Sequence, residues 1–502
     1  MRIFNTESGR DETFEPASLP VKMYVCGLTP KNEPHLGHAR VFVVNDVVRR
    51  YLEFRGYPVH HVQNFTDVDD KIIAAGLREG IPPSEAAKRF TRSYFRDMDA
   101  LNIRRADTFT YVTEFIPRII ELIQGLIDKG HAYELDGDVY FYVPSFPTYG
   151  RLSHRDEEAM MEGARIEPNP RKRDPRDFAL WKAAKPGEPS WESPWGKGRP
   201  GWHIECSTMV LDTLGEQIDI HGGGSDLIFP HHENEIAQSE SYTGKVPFVR
   251  YWVHTGMMNL PAPDADDSGA QDAAAPVKIA HSGTFITIRT ILDSGKVPAP
   301  ALRLYLLGQH YRASLTYSEE QLLATVARWR TWAEARARLL RVIAQAGERS
   351  GIAAAPDVRA TGLAEALPAA REEFITAMDD DLNTSRALAA IDGLVRRING
   401  YANEIERSGD SAAHVETLRA ALATLEELTG VLGIVLDAPD TGATALDDAT
   451  KSAIEALIAQ RTAARSSRDW SEADRIRREL DERFGVVLKD SAQGTTWSLK
   501  ES

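Results

Sequence analysis

Cysteine is nearly missing from this 502-residue chain, which has two, Cys26 and Cys206. So few thiols, with neither a basic nor an apolar targeting region in Met1-Arg2-Ile3-Phe4-Asn5-Thr6-Glu7, exclude a disulfide framework and point to a reducing, cytoplasmic setting. Long apolar runs are missing too. No stretch approaches the ~20 apolar residues of a membrane-spanning helix, so no membrane partner is expected. Positive charge is in deficit, with 59 Lys and Arg against 74 Asp and Glu and a formal net charge of -15. That excludes non-specific nucleic-acid binding through overall charge and leaves room for a local basic face. Internal repeats and heptads are absent. What remains, 42% hydrophobic and 26% charged residues, describes a soluble globular protein long enough for three or four domains.

The first third alternates strands and helices. Val21 to Val25 reads as a short apolar strand, Val41 to Arg55 carries Val44, Val47, Val48, Tyr51 and Leu52 at helical spacing, and His60 to Phe65 reads as a second strand. Strand, helix, strand in this order predicts an α/β fold with a doubly wound parallel sheet, whose ligands bind beyond the carboxyl ends of the strands. Asp136-Gly137, between alternating segments from Ala132 to Val143, marks a hairpin. It opens a Trp- and Pro-rich insertion that runs to about Pro200. Residues 258–277 turn to Pro, Ala, Asp, Ser and Gly, a composition that cannot bury a core and predicts a mobile loop. Helical periodicity follows from Ser318 to Leu432, then a polar linker over 437–447. From Ala449 on, two helical runs precede short strands at Val486-Val487-Leu488 and Thr496-Trp497-Ser498-Leu499.

Each cysteine stands among other reactive side chains. Cys26 ends the first apolar run, and Cys206 closes Gly201-Trp202-His203-Ile204-Glu205, ahead of Phe229-Pro230-His231-His232-Glu233-Asn234-Glu235. Two thiols, a histidine and a carboxylate make a tetrahedral zinc set of mixed S, N and O donors. The i, i+4 spacing of His231 and Glu235 predicts both side chains on one helix face. Taken without that context, two cysteines read as buried free thiols.

His35-Leu36-Gly37-His38 falls between the first strand and the next helix, where free N–H groups and the helix dipole favour phosphate. Two histidines there can donate hydrogen bonds to a phosphoryl group as its charge grows, and Gly37 leaves room for a flat base. As an isolated string the same residues read as surface loop histidines.

Taken together, Tyr24-Val25-Cys26-Gly27, Pro34-His35-Leu36-Gly37-His38-Ala39-Arg40, Asn64-Phe65-Thr66-Asp67-Val68-Asp69-Asp70-Lys71, Gly201-Trp202-His203-Ile204-Glu205-Cys206 and His221-Gly222-Gly223-Gly224-Ser225-Asp226-Leu227 through Glu235 resemble, in order, the cysteinyl-tRNA synthetases of class I. The resemblance spans nearly the whole chain. It implies a Rossmann-type catalytic domain over 1–120 and 201–275, split by a connective insertion over 121–200. A stem-contact region over 276–317, a tRNA-binding helical bundle over 318–436 and an α+β anticodon-binding domain over 448–502 follow. The implied reaction is activation of L-cysteine with ATP and magnesium to cysteinyl-adenylate, then transfer to the cysteine tRNA, by a monomer holding one zinc.

Carried over position by position, the zinc ligands fall on Cys26, Cys206, His231 and Glu235, with His232 the alternative nitrogen. Zinc would hold the substrate thiolate. Serine differs from cysteine by one atom, a difference that an apolar pocket discriminates by only about 1–3 kcal/mol, whereas a soft thiolate on zinc is selected strongly. Thr66 and Trp202 match residues lining the cysteine pocket. Leu28, Gly37, His38, Gly224 and Asp226 match the ATP site, and Arg465, Trp470, Asp474 and Asp490 match positions that read the anticodon. His35 and His38 would stabilise the developing charge, and Lys278 with His281, both also matching the ATP site, the leaving pyrophosphate.

The chain departs from the family at two places. The Lys-Met-Ser-Lys-Ser loop reads Lys278-Ile279-Ala280-His281-Ser282, with histidine for the second lysine, one residue fewer before Phe285, and an Asp- and Ala-rich insertion ahead of it. Pro30-Lys31-Asn32-Glu33 replaces a more aromatic segment. Two other readings stay open at this point: a ligase that passes activated cysteine to an amino sugar, against which residues 318–502 argue, and a paralogue that binds without turnover.

Overall fold

A strand buried on both faces reads as a continuous apolar run, and Val21–Leu28 is such a run. In the computed structural model, which describes residues 1–156, 171–261, 277–278, 286–347, 358–408, 414–437, 448–467, 469–491 and 494–499, it is the central strand of a five-stranded parallel sheet. The order across the sheet is Val249–Thr255, Ile218–Gly224, Val21–Leu28, Val59–Phe65, Thr108–Tyr111. Chain order reverses between Val21–Leu28 and Ile218–Gly224, so the ligand crevice of this doubly wound fold opens beyond their carboxyl ends. The first strand runs past Val25 to Leu28, which puts Cys26 inside it.

The helix expected from Val41 begins at Leu36 instead, because His35 caps it. Its apolar stripe, including Val43, Val47, Tyr51 and Leu52, is fully buried. The insertion forms a separate four-stranded antiparallel sheet, ordered Ala132–Leu135, Asp138–Phe141, Phe178–Ala183, Gly198–Pro200. Its first hairpin turns on Asp136 and Gly137 at φ of 54° and 86°, the pair of positive angles that a type I′ turn demands.

Met258–Leu260 is a strand, not the start of a loop: it pairs parallel with Leu315–Thr316 and antiparallel with Val277–Lys278. Buried Met258 and the partner strand outweigh the Pro- and Asp-rich residues that follow, and 262–276, the body of that segment, lie outside the described residues. Helices Glu319–Gly347, Val358–Asp379, Thr384–Ser408 and Val415–Val431 share one continuous core with the first helix, through Val47, Leu304, Trp332, Phe374, Leu394 and Leu428. A buried ion cluster reinforces it. Asp46 on that first helix accepts from Arg50 at 2.7 Å and from Arg303, whose Nε donates to Leu432 O at 2.7 Å.

Contacts divide the chain into two compact units, Met1–Leu436 and Asp437–Ser502. The second consists of helices Asp448–Ser466 and Trp470–Phe484 and the hairpin Val486–Ser491, Gly494–Leu499, closed over Ile454, Ile476, Leu480 and Val486. The linker expected at 437–447 lies, from residue 438, outside the described residues. Among the described residues no helix is long and apolar enough to cross a membrane.

Candidate active site at the carboxyl end of the sheet

The turn after the first strand is built from its own histidines. His35 is the N-cap of Leu36–Phe54, and its Nδ1 accepts from the N–H of Gly37 at 3.1 Å and of His38 at 3.4 Å. His38 Nδ1 in return accepts from His35 N–H at 3.3 Å, and the two rings stack with centroids 3.6 Å apart. This reciprocal pattern is a capping box made of imidazoles. Because both Nδ1 atoms accept, both protons sit on Nε2, where they can be donated to a ligand. Burial, with Lys31 nearby, lowers His35 to about 4, and burial holds His38 well below the usual range. Both are therefore neutral donors at neutral pH. A Cβ at Gly37 would meet His35 Cε1 and Nδ1 at 3.0 Å, so glycine there protects the cap itself.

Cys26 owes its position to a bulge. The register against Val59–Phe65 shifts between Val25 and Leu28, Gly27 N–H donates to Asn64 Oδ1 at 2.8 Å, and a Cβ at Gly27 would lie 1.6 Å from Asn64 O. The bulge re-aims the thiol toward the helix Trp202–Thr213, where Cys206 Sγ is 3.8 Å away. Glu235 Oε1 is 3.7 Å from Cys26 Sγ and 3.1 Å from His231 Nε2. Ligand atoms of Cys26, Cys206, His231 and Glu235 all lie within 4.8 Å of one another, and all four residues are buried. His231 precedes the regular helix Glu233–Thr243, so its pairing with Glu235 depends on an irregular turn over Ile228–His232.

Burial and neighbouring charges shift the four donors in opposite directions. The hydrogen bond from Cys26 lowers Cys206 to about 6, while burial and Cys206 push the Cys26 thiol well up. Burial would raise Glu235, but His221 and His231 beside it hold it at about 2. Burial would lower His231, but Glu235 and Cys206 carry it up to about 10. Two sulfurs, a nitrogen and a carboxylate oxygen, gathered and shielded from water, fit a tetrahedral zinc.

The remaining expected residues fall into three groups. Thr66, just past Val59–Phe65, donates to Glu205 Oε2 at 3.1 Å, and half-buried Trp202 stacks on His231 with centroids 4.2 Å apart. Leu28 ends the first strand and Gly224 the fourth, where a Cβ on Gly224 would meet Asp226 Oδ1 at 2.5 Å. Lys278 stands on the short strand opposite Asn259, its side chain outside the described residues, as is all of His281. Arg465, Trp470 and Asp474 are exposed in the second unit, Trp470 to 60%. Asp490 lies in its hairpin, with only the backbone described.

Residues 14–327 match the model of the class I (C) tRNA synthetase catalytic domain, 373–437 a DALR domain, and 447–497 the cysteinyl-tRNA ligase anticodon binding domain. A cysteine–tRNA ligase of Dehalococcoides mccartyi is 46% identical over 100% of both chains, and one of Moorella thermoacetica 47% identical over 99% of both. The chain belongs to the cysteine–tRNA ligase family. Among solved structures, Mycobacterium tuberculosis methionyl-tRNA synthetase bound by methionyl-adenylate shares the fold, with a TM-score of 0.61 at 16% identity over 83% of this chain and 92% of that one.

Four residues of this family member's cluster escaped the sequence reading. His221 Nε2 is 3.0 Å from Glu235 Oε2, His203 Nδ1 is 2.9 Å from His231 Nδ1, and His254 Nε2 is 2.8 Å from His232 Nδ1. Glu205, its carboxyl pushed well up by burial and by Cys206, is the fourth. The available signal was a polar residue inside an apolar strand, as in Ile218-Asp219-Ile220-His221 and Trp252-Val253-His254, since burying such a group is costly unless it is paired. Cys26, His221, His232 and Glu235 form a second set within 4.8 Å, so His232 remains within ligand reach.

Proposed function

We propose that this chain activates L-cysteine with ATP to cysteinyl-adenylate, releasing pyrophosphate, and transfers the cysteinyl group to the 3′ end of the cysteine tRNA. One observation carries the reading: a buried S, S, N, O donor set beside a histidine-capped helix N-terminus, at the switch point of a parallel sheet. Cys26, Cys206, His231 and Glu235 would hold the zinc. When bound, zinc supplies a soft Lewis acid that selects a thiolate over a hydroxyl. Trp202, stacked on His231, and Thr66 frame the substrate side of the cluster.

The substrate carboxylate attacks the α-phosphate in line, positioned rather than activated by the protein. His35 and His38 donate from Nε2 to the phosphoryl oxygens as charge builds. Leu28, Gly37, Gly224 and Asp226 border the adenosine side, Lys278 with His281 would neutralise the departing pyrophosphate, and magnesium, when bound with ATP, would add positive charge there. Arg465, exposed Trp470, Asp474 and Asp490 engage the anticodon from the second unit, with the protein acting as a monomer in the cytoplasm. Cysteine-dependent exchange of labelled pyrophosphate into ATP tests the first step and charging of cysteine tRNA the second. Exchange without charging, but with cysteine passed to an amino sugar, would replace this reading.

A further inference from the structure

Arg40 follows the histidine turn on the helix Leu36–Phe54 and is 1% exposed. Its four hydrogen bonds all go to peptide carbonyls. Nη1 donates to Gly256 O at 3.1 Å and Met257 O at 3.0 Å, and Nη2 to His310 O at 3.2 Å and Ala313 O at 2.6 Å. These carbonyls mark the crossing where the chain leaves the parallel sheet. Gly256 and Met257 join Val249–Thr255 to Met258–Leu260, and His310 to Ala313 lead into Leu315–Thr316. Met258–Leu260 is the strand against which Val277–Lys278 pairs, Asn259 opposite Lys278. The two segments approach so closely that a Cβ on Gly256 would meet Ala313 O at 2.4 Å and Arg312 O at 2.5 Å.

A buried guanidinium is expensive to desolvate, and an apolar side chain of similar volume would fill the space at less cost. What only the planar fork supplies is a fixed spacing among four carbonyls on two chain segments. One side chain thus ties the helix that begins at the His35–His38 turn to the residues leading into Met258–Leu260, the strand against which Val277–Lys278 pairs. We propose that Arg40 is a positioning residue of adenylate formation, setting the separation between the amino end of the first helix and the strand that carries Lys278. The assignment rests on the function proposed above and deepens it, since those two segments would hold opposite ends of the triphosphate.

The test compares zinc-loaded, full-length wild type, Arg40→Lys and Gly256→Ala in cysteine-dependent pyrophosphate exchange, with thermal unfolding on the same samples. A compact ammonium keeps the charge but cannot span four carbonyls. Gly256→Ala leaves Arg40 in place and wedges the crossing apart. In both variants kcat/KM for ATP is expected to fall about 10- to 100-fold, as a small misplacement of reacting groups costs, with KM for cysteine within about two-fold of wild type. Parallel losses for ATP and cysteine that track a lowered unfolding temperature, or an unchanged kcat/KM for ATP in Arg40→Lys, would overturn the assignment. If Arg40→Lys does not fold, Gly256→Ala decides by the same ATP-against-cysteine split. Wild type without any exchange would instead defeat the proposed function, and Arg40's role with it.

Discussion

Single residues in this molecule are tuned by whether burial or a neighbour dominates their charge. His231 and His61 are both buried, yet Glu235 carries the first up to about 10 and burial takes the second down to about 4. Neither ring nitrogen of His61 has a hydrogen-bond partner. Its unfolded form takes a proton near pH 6.5 and its folded form only near 4, so the unfolded chain binds more protons in that window and stability falls as pH drops through it. With about 1.4 kcal/mol per unit, the upper bound is roughly 3 to 4 kcal/mol. Urea titrations between pH 4 and 7 should show a shallower pH slope for His61→Phe than for wild type, and equal slopes would refute the assignment. At the metal cluster, Cys206→Ser or His231→Ala is expected to lower zinc content and to raise KM for cysteine far more than KM for ATP. Full zinc with unaltered cysteine affinity in either variant would remove these residues from the site. In the segment 278–282, Lys278→Ala is expected to slow pyrophosphate exchange more than His281→Ala, because a lysine ammonium brings a full positive charge to a phosphate.

At the scale of elements, the helix Leu36–Phe54 does several tasks along one axis. Its N-cap forms the histidine turn, Arg40 reaches the strand crossing, and Asp46 and Arg50 bind the buried cluster that includes Arg303. The cap is the point most sensitive to a small change. Gly37→Ala would press a methyl against the His35 ring at 3.0 Å, displacing an N-cap worth about 1 kcal/mol and the two Nε2 donors with it. Exchange activity should therefore drop much more than thermal stability, which differential scanning calorimetry on the same preparations would check. Loss of stability alone, with activity intact, would mean that the imidazole pair has no role at phosphate.

For the whole molecule, the division into two units predicts separable functions. Trp470, 60% exposed at the start of its helix, is not a core residue, and its ring is open to stack on a base. Stacking on a base is worth about 1–3 kcal/mol, so Trp470→Ala is expected to cut charging of cysteine tRNA by about 5- to 150-fold while leaving pyrophosphate exchange at the wild-type rate. Equal losses in the two assays would place Trp470 in folding and not in recognition.

The linear order of residues by itself determined the α/β fold, the histidine turn and the family, because apolar runs, helical spacing and contiguous motifs are local properties carried wherever the chain goes. It also singled out Cys26 and Cys206, its only two thiols, and the family resemblance added His231 and Glu235, with His232 the alternative nitrogen. Tertiary structure alone decided the rest. The bulge at Cys26–Gly27, the imidazole capping box, the shell of His203, His221 and His254, and the carbonyls around Arg40 arise from segments up to hundreds of positions apart. Their physical cause is burial: most polar groups taken out of water find a partner in three dimensions, and no local pattern names that partner in advance.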